Sequence, residues 1–191
     1  MENLALPHGS IVAFYGDSLT SGFRASSADL RWSTLLCRRH GWIEVNPSVP
    51  GLGFVQDRGD SGLPALIVEA HPDAILVTLG ANDLRLVDSA GAQIKAAIAD
   101  DLARLRAGAP EADIFVAMPF SPLSFRPPQL VLLEGWLREG AASISAPVIE
   151  SASWMTGRAD LTVDGIHFSD EGERYIADLM DEALAAYVAG T

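Results

Sequence analysis

Along this chain, short apolar or β-branched runs alternate with longer stretches in which apolar residues return at helical spacing. The runs predict strands over 10–15, 42–45, 74–79, 114–117 and 147–150. The longer stretches predict helices over 28–39, 63–70, 92–106, 128–143 and 169–188. Strands alternating with helices in this way are the pattern of an α/β fold, a parallel sheet covered by helices on both faces.

Local chemistry sharpens several of these elements. Ile94, Ile98, Leu102 and Leu105 fall on one stripe of the third helix, and Gly108 is placed to end it. The first helix is expected to bury Leu30, Leu35 and Leu36; the second follows a glycine and stops before Pro72. Pro128 suits a first helical turn. Ser169, with Asp170 and Glu171 behind it, suits a helix start, where a hydroxyl cap and negative charge meet unpaired N–H groups. No repeat, low-complexity tract or linker divides the chain, so residues 1–191 read as one domain.

Composition narrows the function classes. With 49% hydrophobic and 20% charged residues in 191, the chain is rich enough to bury a core. A formal net charge of −12 repels a phosphate backbone. The one compact basic group, Arg38-Arg39-His40, falls at a predicted helix C-terminus, where positive charge is favourable in its own right. Nucleic-acid binding is therefore not expected. No apolar run approaches the roughly 20 residues of a membrane span. The start, Met1-Glu2-Asn3, lacks the basic and apolar regions of a secretory signal, and the lone Cys37 excludes an intrachain disulfide and fits a reducing compartment. A cytoplasmic location is the expectation.

The chemistry lies on the loops. An open parallel sheet places its ligand site beyond the carboxyl ends of the strands, and four short motifs fall there. After the first strand, Gly16 allows a sharp turn that projects the Ser18 hydroxyl from Gly16-Asp17-Ser18. Gly59-Asp60-Ser61 repeats the triplet, but it follows no apolar strand and precedes Gly62 and Pro64, so it reads as a loop leading to a helix cap.

A serine hydroxyl needs a base, and the base needs a group to fix its tautomer. Of four histidines, His8, His40 and His71 read as surface or turn residues. Asp164 stands three residues before His167, and that spacing can bring the carboxylate to Nδ1 while Nε2 faces the serine. Acyl transfer also needs donors for the developing oxyanion. The candidates are the Ser18 N–H, the Gly51 N–H with Gly53 as a rival, and the Asn82 side chain in Gly80-Ala81-Asn82-Asp83. Asp17 and Asp83 read as structural, holding turns or caps. Cofactor and metal are not expected, because no His/Cys cluster is present.

These four ordered blocks resemble the SGNH (GDSL-type) hydrolases over nearly the whole chain. Gly16 to Thr20 is similar to the first block, Asn46 to Gly51 to the second, Gly80 to Asp83 to the third, and Asp164-x-x-His167 to the last. The resemblance implies a flavodoxin-like, three-layer α/β/α sandwich on a five-stranded parallel sheet. It also implies a metal-independent serine esterase, lipase or thioesterase. By it Ser18 is nucleophile, His167 base and then acid, Asp164 its orienting partner, and Ser18 N–H, Gly51 N–H and Asn82 the oxyanion donors. The Gly-x-Ser-x-Gly elbow of α/β-hydrolases is absent.

The substrate class this implies is a small acyl ester or thioester. Phe120, Leu123, Phe125, Trp154 and Met155 lie in loops that either border the pocket or pack beneath it, and the segment 121–128 is a candidate rim. An acyltransferase on the same site, or a non-catalytic binding module on the same fold, are the rival functions.

Overall fold

A computed structural model describes residues 6–59 and 62–189. Asp60 and Ser61 of the second Gly-Asp-Ser triplet lie outside the described residues. Five parallel strands, β1 (Ile11–Tyr15), β2 (Ile43–Val45), β3 (Ala74–Val77), β4 (Asp113–Ala117) and β5 (Val148–Ile149), form one sheet in the order β2-β1-β3-β4-β5. The chain therefore starts in the middle, steps out to β2, and returns across β1 to build the other side. The reversal lies between β1 and β3, where the connections leave a crevice at the strand ends.

Alternate strand residues feed two cores. Ala13, Tyr15, Ile75, Val77, Ile114 and Val116 pack under α3 (Leu63–Glu69), α4 (Val87–Gly108) and α5 (Pro128–Ser143). Val12, Phe14, Leu76, Phe115 and Ala117 pack under α2 (Trp32–His40) and α6 (Asp170–Ala189). Both faces of the sheet are thus apolar and covered, which is why its strands read as continuous hydrophobic runs rather than alternating ones.

The predicted stripe of α4 is fully buried at Ile94, Ile98, Leu102 and Leu105. Its helix, however, begins at Val87 after a 3-10 turn (Ala81–Leu86), bends at Ala90, and includes Gly108 as its last residue. A side chain at Gly108 would meet the Val68 methyls at 2.6 Å, so close approach of α4 to α3 explains the glycine there. The expected helix 28–39 is also divided. A 3-10 turn (Ala28–Leu30) ends at Arg31, whose extended backbone resets the phase, and α2 starts at Trp32. The buried apolar set becomes Trp32, Leu36 and Cys37, while Leu30 and Leu35 stay half-buried.

Arg31 offers α2 no side-chain cap. Glu173, one turn into α6, supplies it from across the interface by accepting the Trp32 N–H at 2.8 Å. Glu173 is almost wholly buried, and burial pushes its carboxyl up to about 8 against the opposing influence of that N–H. A carboxyl raised on folding contributes stability that is complete below its unfolded value near 4.5 and lost as pH rises through about 8. Glu173→Gln is therefore expected to raise Tm relative to the parent by an amount that grows between pH 5 and pH 9. A constant difference across that range would show that Glu173 is not the group responsible.

Candidate active site

Beyond Tyr15 the chain makes a turn that only a glycine fits. A Cβ on Gly16 would lie 2.4 Å from Thr20 Oγ1 and 2.5 Å from Thr78 Oγ1, two hydroxyls that themselves share a buried 2.6 Å hydrogen bond. Gly16→Ala is expected to cost about 1–3 kcal/mol as an overpacked site, read as a lowered midpoint in urea unfolding.

Past that turn Ser18 opens α1 (Ser18–Ser21), a single helical turn whose N-cap is Asp17. Asp17 Oδ1 accepts the Leu19 N–H at 3.0 Å, and the turn closes on Gly22 in the left-handed region. From below, the Trp32 indole N–H donates to Leu19 O at 2.9 Å and anchors the turn to α2.

The partner for Ser18 comes from the far end of the chain. His167 Nε2 lies 3.1 Å from Ser18 Oγ across 149 positions. Its Nδ1 lies 2.8 Å from Asp164 Oδ2. The other Asp164 oxygen accepts the backbone N–H groups of Ile166 and His167 at 3.1 and 2.9 Å. Gly165, at φ +86, makes this tight loop possible, and Thr162 Oγ1 accepts its N–H. Asp164 is consequently held down to about 2, first by the His167 N–H and then by the imidazole, and remains a carboxylate throughout the neutral range. Ser169 Oγ accepts the Gly172 N–H, so the loop runs directly into the capped start of α6.

The remaining histidines are engaged elsewhere. His40 stacks on Trp42 and contacts Asp181 at 2.8 Å, His8 lies against Gly41, and His71 occupies a positive-φ turn.

Two loops bring polar donors beside Ser18. Asp83, fully buried, accepts three consecutive backbone N–H groups from Phe54, Val55 and Gln56 at 2.6, 2.9 and 2.9 Å. That grip folds the segment carrying Gly51 and Gly53. The Gly53 N–H donates to Gln56 O at 2.7 Å, and a Cβ there would strike Asp83 at 2.5 Å. Gly51 sits at φ +83, and its N–H has no acceptor among the described residues; nor has the N–H of Ser18. Asn82 Nδ2 donates to Leu52 O at 2.9 Å and to Asp17 Oδ2 at 3.2 Å.

Asp17 therefore does more than cap a turn, the role its position in the sequence suggested. It joins the Ser18 turn to Asn82, and burial pushes its carboxyl up to about 6. The signal was its place beside Ser18, but a contact with a residue 65 positions away is set by sheet order rather than local spacing.

Gly51 and Asn82 also line an open groove of about 620 Å³, together with Asp57, Arg85, Pro127 and Gln129. Pro127 places part of the 121–128 segment on its rim. Of the loop apolar residues, Phe120 and Met155 are buried in the core under α6, Trp154 packs on Phe120, and Leu123 and Phe125 are exposed. Sequence reading passed over Phe23, whose ring turns edge-on to the His167 imidazole at 4.8 Å. Among the described residues no group of three His, Cys, Asp or Glu side chains is arranged to hold a metal, and no helix is long and apolar enough to cross a membrane.

Comparisons with known proteins identify the fold and the family. A search of curated proteins found no match. Among solved structures, the chain is similar in fold to the psychrotrophic esterase EstA from Pseudoalteromonas sp., in a form inhibited by monoethylphosphonate. The two share 18% identity at a TM-score of 0.75, over 94% of this chain and 99% of that one. TesA matches at 21% identity and a TM-score of 0.72, over 92% and 98% of the two chains. A catalytic mutant of Axe2, an acetylxylan esterase from Geobacillus stearothermophilus, matches at 14% identity and a TM-score of 0.74, over 94% and 95%. At these identities the likeness establishes the fold. The family model described as GDSL-like Lipase/Acylhydrolase covers residues 14–175, from the end of β1 into α6, and so includes every site residue described above. The chain belongs to the GDSL-like lipase/acylhydrolase family.

Proposed function

We propose that this protein cleaves a small carboxylic ester or thioester through an acyl-enzyme on Ser18. The observation that carries this is the unbroken line from Ser18 Oγ to His167 Nε2 and from His167 Nδ1 to Asp164 Oδ2. With Asp164 ionised, the favoured tautomer carries its proton on Nδ1 and leaves the Nε2 lone pair facing the serine hydroxyl. His167 takes the Ser18 proton as Oγ attacks the carbonyl carbon, and the imidazolium so formed is stabilised by Asp164. The tetrahedral intermediate collapses, and the leaving alcohol or thiol receives that proton from Nε2. Water then attacks the acyl-enzyme with His167 as base, releasing the acid and restoring Ser18.

The carbonyl oxygen is assigned to a hole formed by the N–H groups of Ser18 and Gly51 and the Asn82 amide. Gly51 is preferred to Gly53 because its N–H is unengaged among the described residues, while the Gly53 N–H is spent on Gln56 O. EstA is inhibited by monoethylphosphonate, and Axe2 is an acetylxylan esterase. An organophosphonate probe and acetyl esters are accordingly the reagents of choice. A fluorophosphonate is expected to label Ser18, identified by peptide mass mapping, and to abolish hydrolysis of p-nitrophenyl acetate in proportion to labelling. Labelling of Ser61 instead, or full labelling of a Ser18→Ala variant, would refute the assignment.

A further inference from the structure

The chain carries 13 lysine and arginine side chains, and among the described residues all but one make a hydrogen bond or ion pair within 3.5 Å. The exception is Arg24. It makes no hydrogen bond there, and the nearest carboxylate oxygen, Asp164 Oδ2, is 3.9 Å from its Nε. That oxygen is already committed to His167 Nδ1. The guanidinium lies over the Phe23 ring at 5.1 Å, with 55% of the side chain exposed. More than half exposed, it lies beside the loop of the histidine that meets Ser18.

Its presentation is built, not incidental. Arg24 adopts φ +80, a region that few residues other than glycine occupy. The turn is closed by Ala25 N–H to Gly22 O at 3.0 Å. It is pinned again at Ser26, whose N–H and Oγ donate to the two oxygens of Asp170 at 2.9 and 2.6 Å. Phe23 and Arg24 are thus fixed to the start of α6, on the imidazole side of Ser18.

We propose that Arg24 is a specificity-determining residue that receives an anionic group, a carboxylate or phosphate, carried on the alcohol portion of the ester. This rests on the Ser18–His167 reading, in which His167 hands its proton to the leaving oxygen. The alcohol portion therefore departs past the imidazole, where Phe23 offers an apolar floor and Arg24 a fork of donors suited to either anion. The carbonyl oxygen is directed the other way, toward Gly51 and Asn82. An anion arriving without this cation would meet Asp17, Asp164 and a chain of formal net charge −12.

The test compares charged and neutral esters of matched shape: 4-acetoxybenzoate against its methyl ester, and acetylated glycerol phosphate against acetylated glycerol. Arg24→Gln is expected to lower the charged-to-neutral ratio of kcat/KM about tenfold in at least one pair, mainly through KM, and Arg24→Glu to lower it further. Arg24→Lys should retain most of the preference. In the unaltered protein, raising NaCl from 0.02 to 0.5 M should compress the same ratio, a readout independent of any variant's folding. The pair that responds identifies carboxylate or phosphate as the group received. Ratios unmoved by charge at position 24 and by salt would overturn the proposal. Equal losses on both members of each pair would also do so, because Arg24 would then merely support Asp164 and His167. Failure of the Ser18 reading would be separately visible, as neutral-ester hydrolysis that survives Ser18→Ala.

Discussion

Replacing Ser18 with alanine is expected to lower kcat for p-nitrophenyl acetate by about 10⁴-fold or more while leaving Tm within a degree or two. The size follows from what is removed. Without Oγ no acyl-enzyme forms, and His167 and Asp164 have nothing to activate except water. The small stability change follows from the surroundings: among the described residues the Oγ hydrogen-bonds only to His167 Nε2, whereas the turn itself is held by backbone groups, Asp17 and the Trp32 indole. His167→Ala should fall to a similar floor, and the double variant no lower, because the two residues act as one unit. Additive losses would mean that the pair does not work together.

Asn82→Ala is the second large effect, an expected loss of about 10²–10³-fold in kcat with little change in KM. Both hydrogens of its amide are engaged in the resting protein, one by Leu52 O at 2.9 Å and one by Asp17 Oδ2 at the longer 3.2 Å. Stabilising a new oxyanion requires the amide to loosen one bond, and the weaker one faces a carboxyl that burial has already pushed up to about 6. Asp17→Asn should therefore lower kcat less than Asn82→Ala. The double variant should lose less than the product of the two single losses, since Asp17 acts on turnover partly through Asn82. A rise in KM alone for Asn82→Ala would assign the residue to ground-state binding instead.

Much of this arrangement is legible before any coordinates. The start of α5 follows from Pro128, and the buried face of α4 follows from four apolar residues at helical spacing. The approach of Ser18 to Asp164 and His167 follows from placing loops at the strand ends of a parallel sheet. Features set by packing between distant segments are not legible in the same way. The break at Arg31 is tied to Glu173 of α6, which caps α2 from outside its own sequence. Phe120, after β4, and Met155, after β5, lie in loops yet join the core, Phe120 packing against Trp32, Trp154 and Phe168 from distant segments. Phe23 and Arg24 carry no motif, and their relation to His167 arises only because Ser26 is tethered to Asp170.

The order in which a ribosome releases these parts has its own significance. Ser18 precedes its proposed base by 149 positions, and all five strands are synthesised before His167. On the Ser18–His167 reading, the hydroxyl stays inert until the 164–167 loop is held beside it at the start of α6. Turnover would thus report that α6 has docked, and an esterase assay on stalled chains of increasing length would read that step directly.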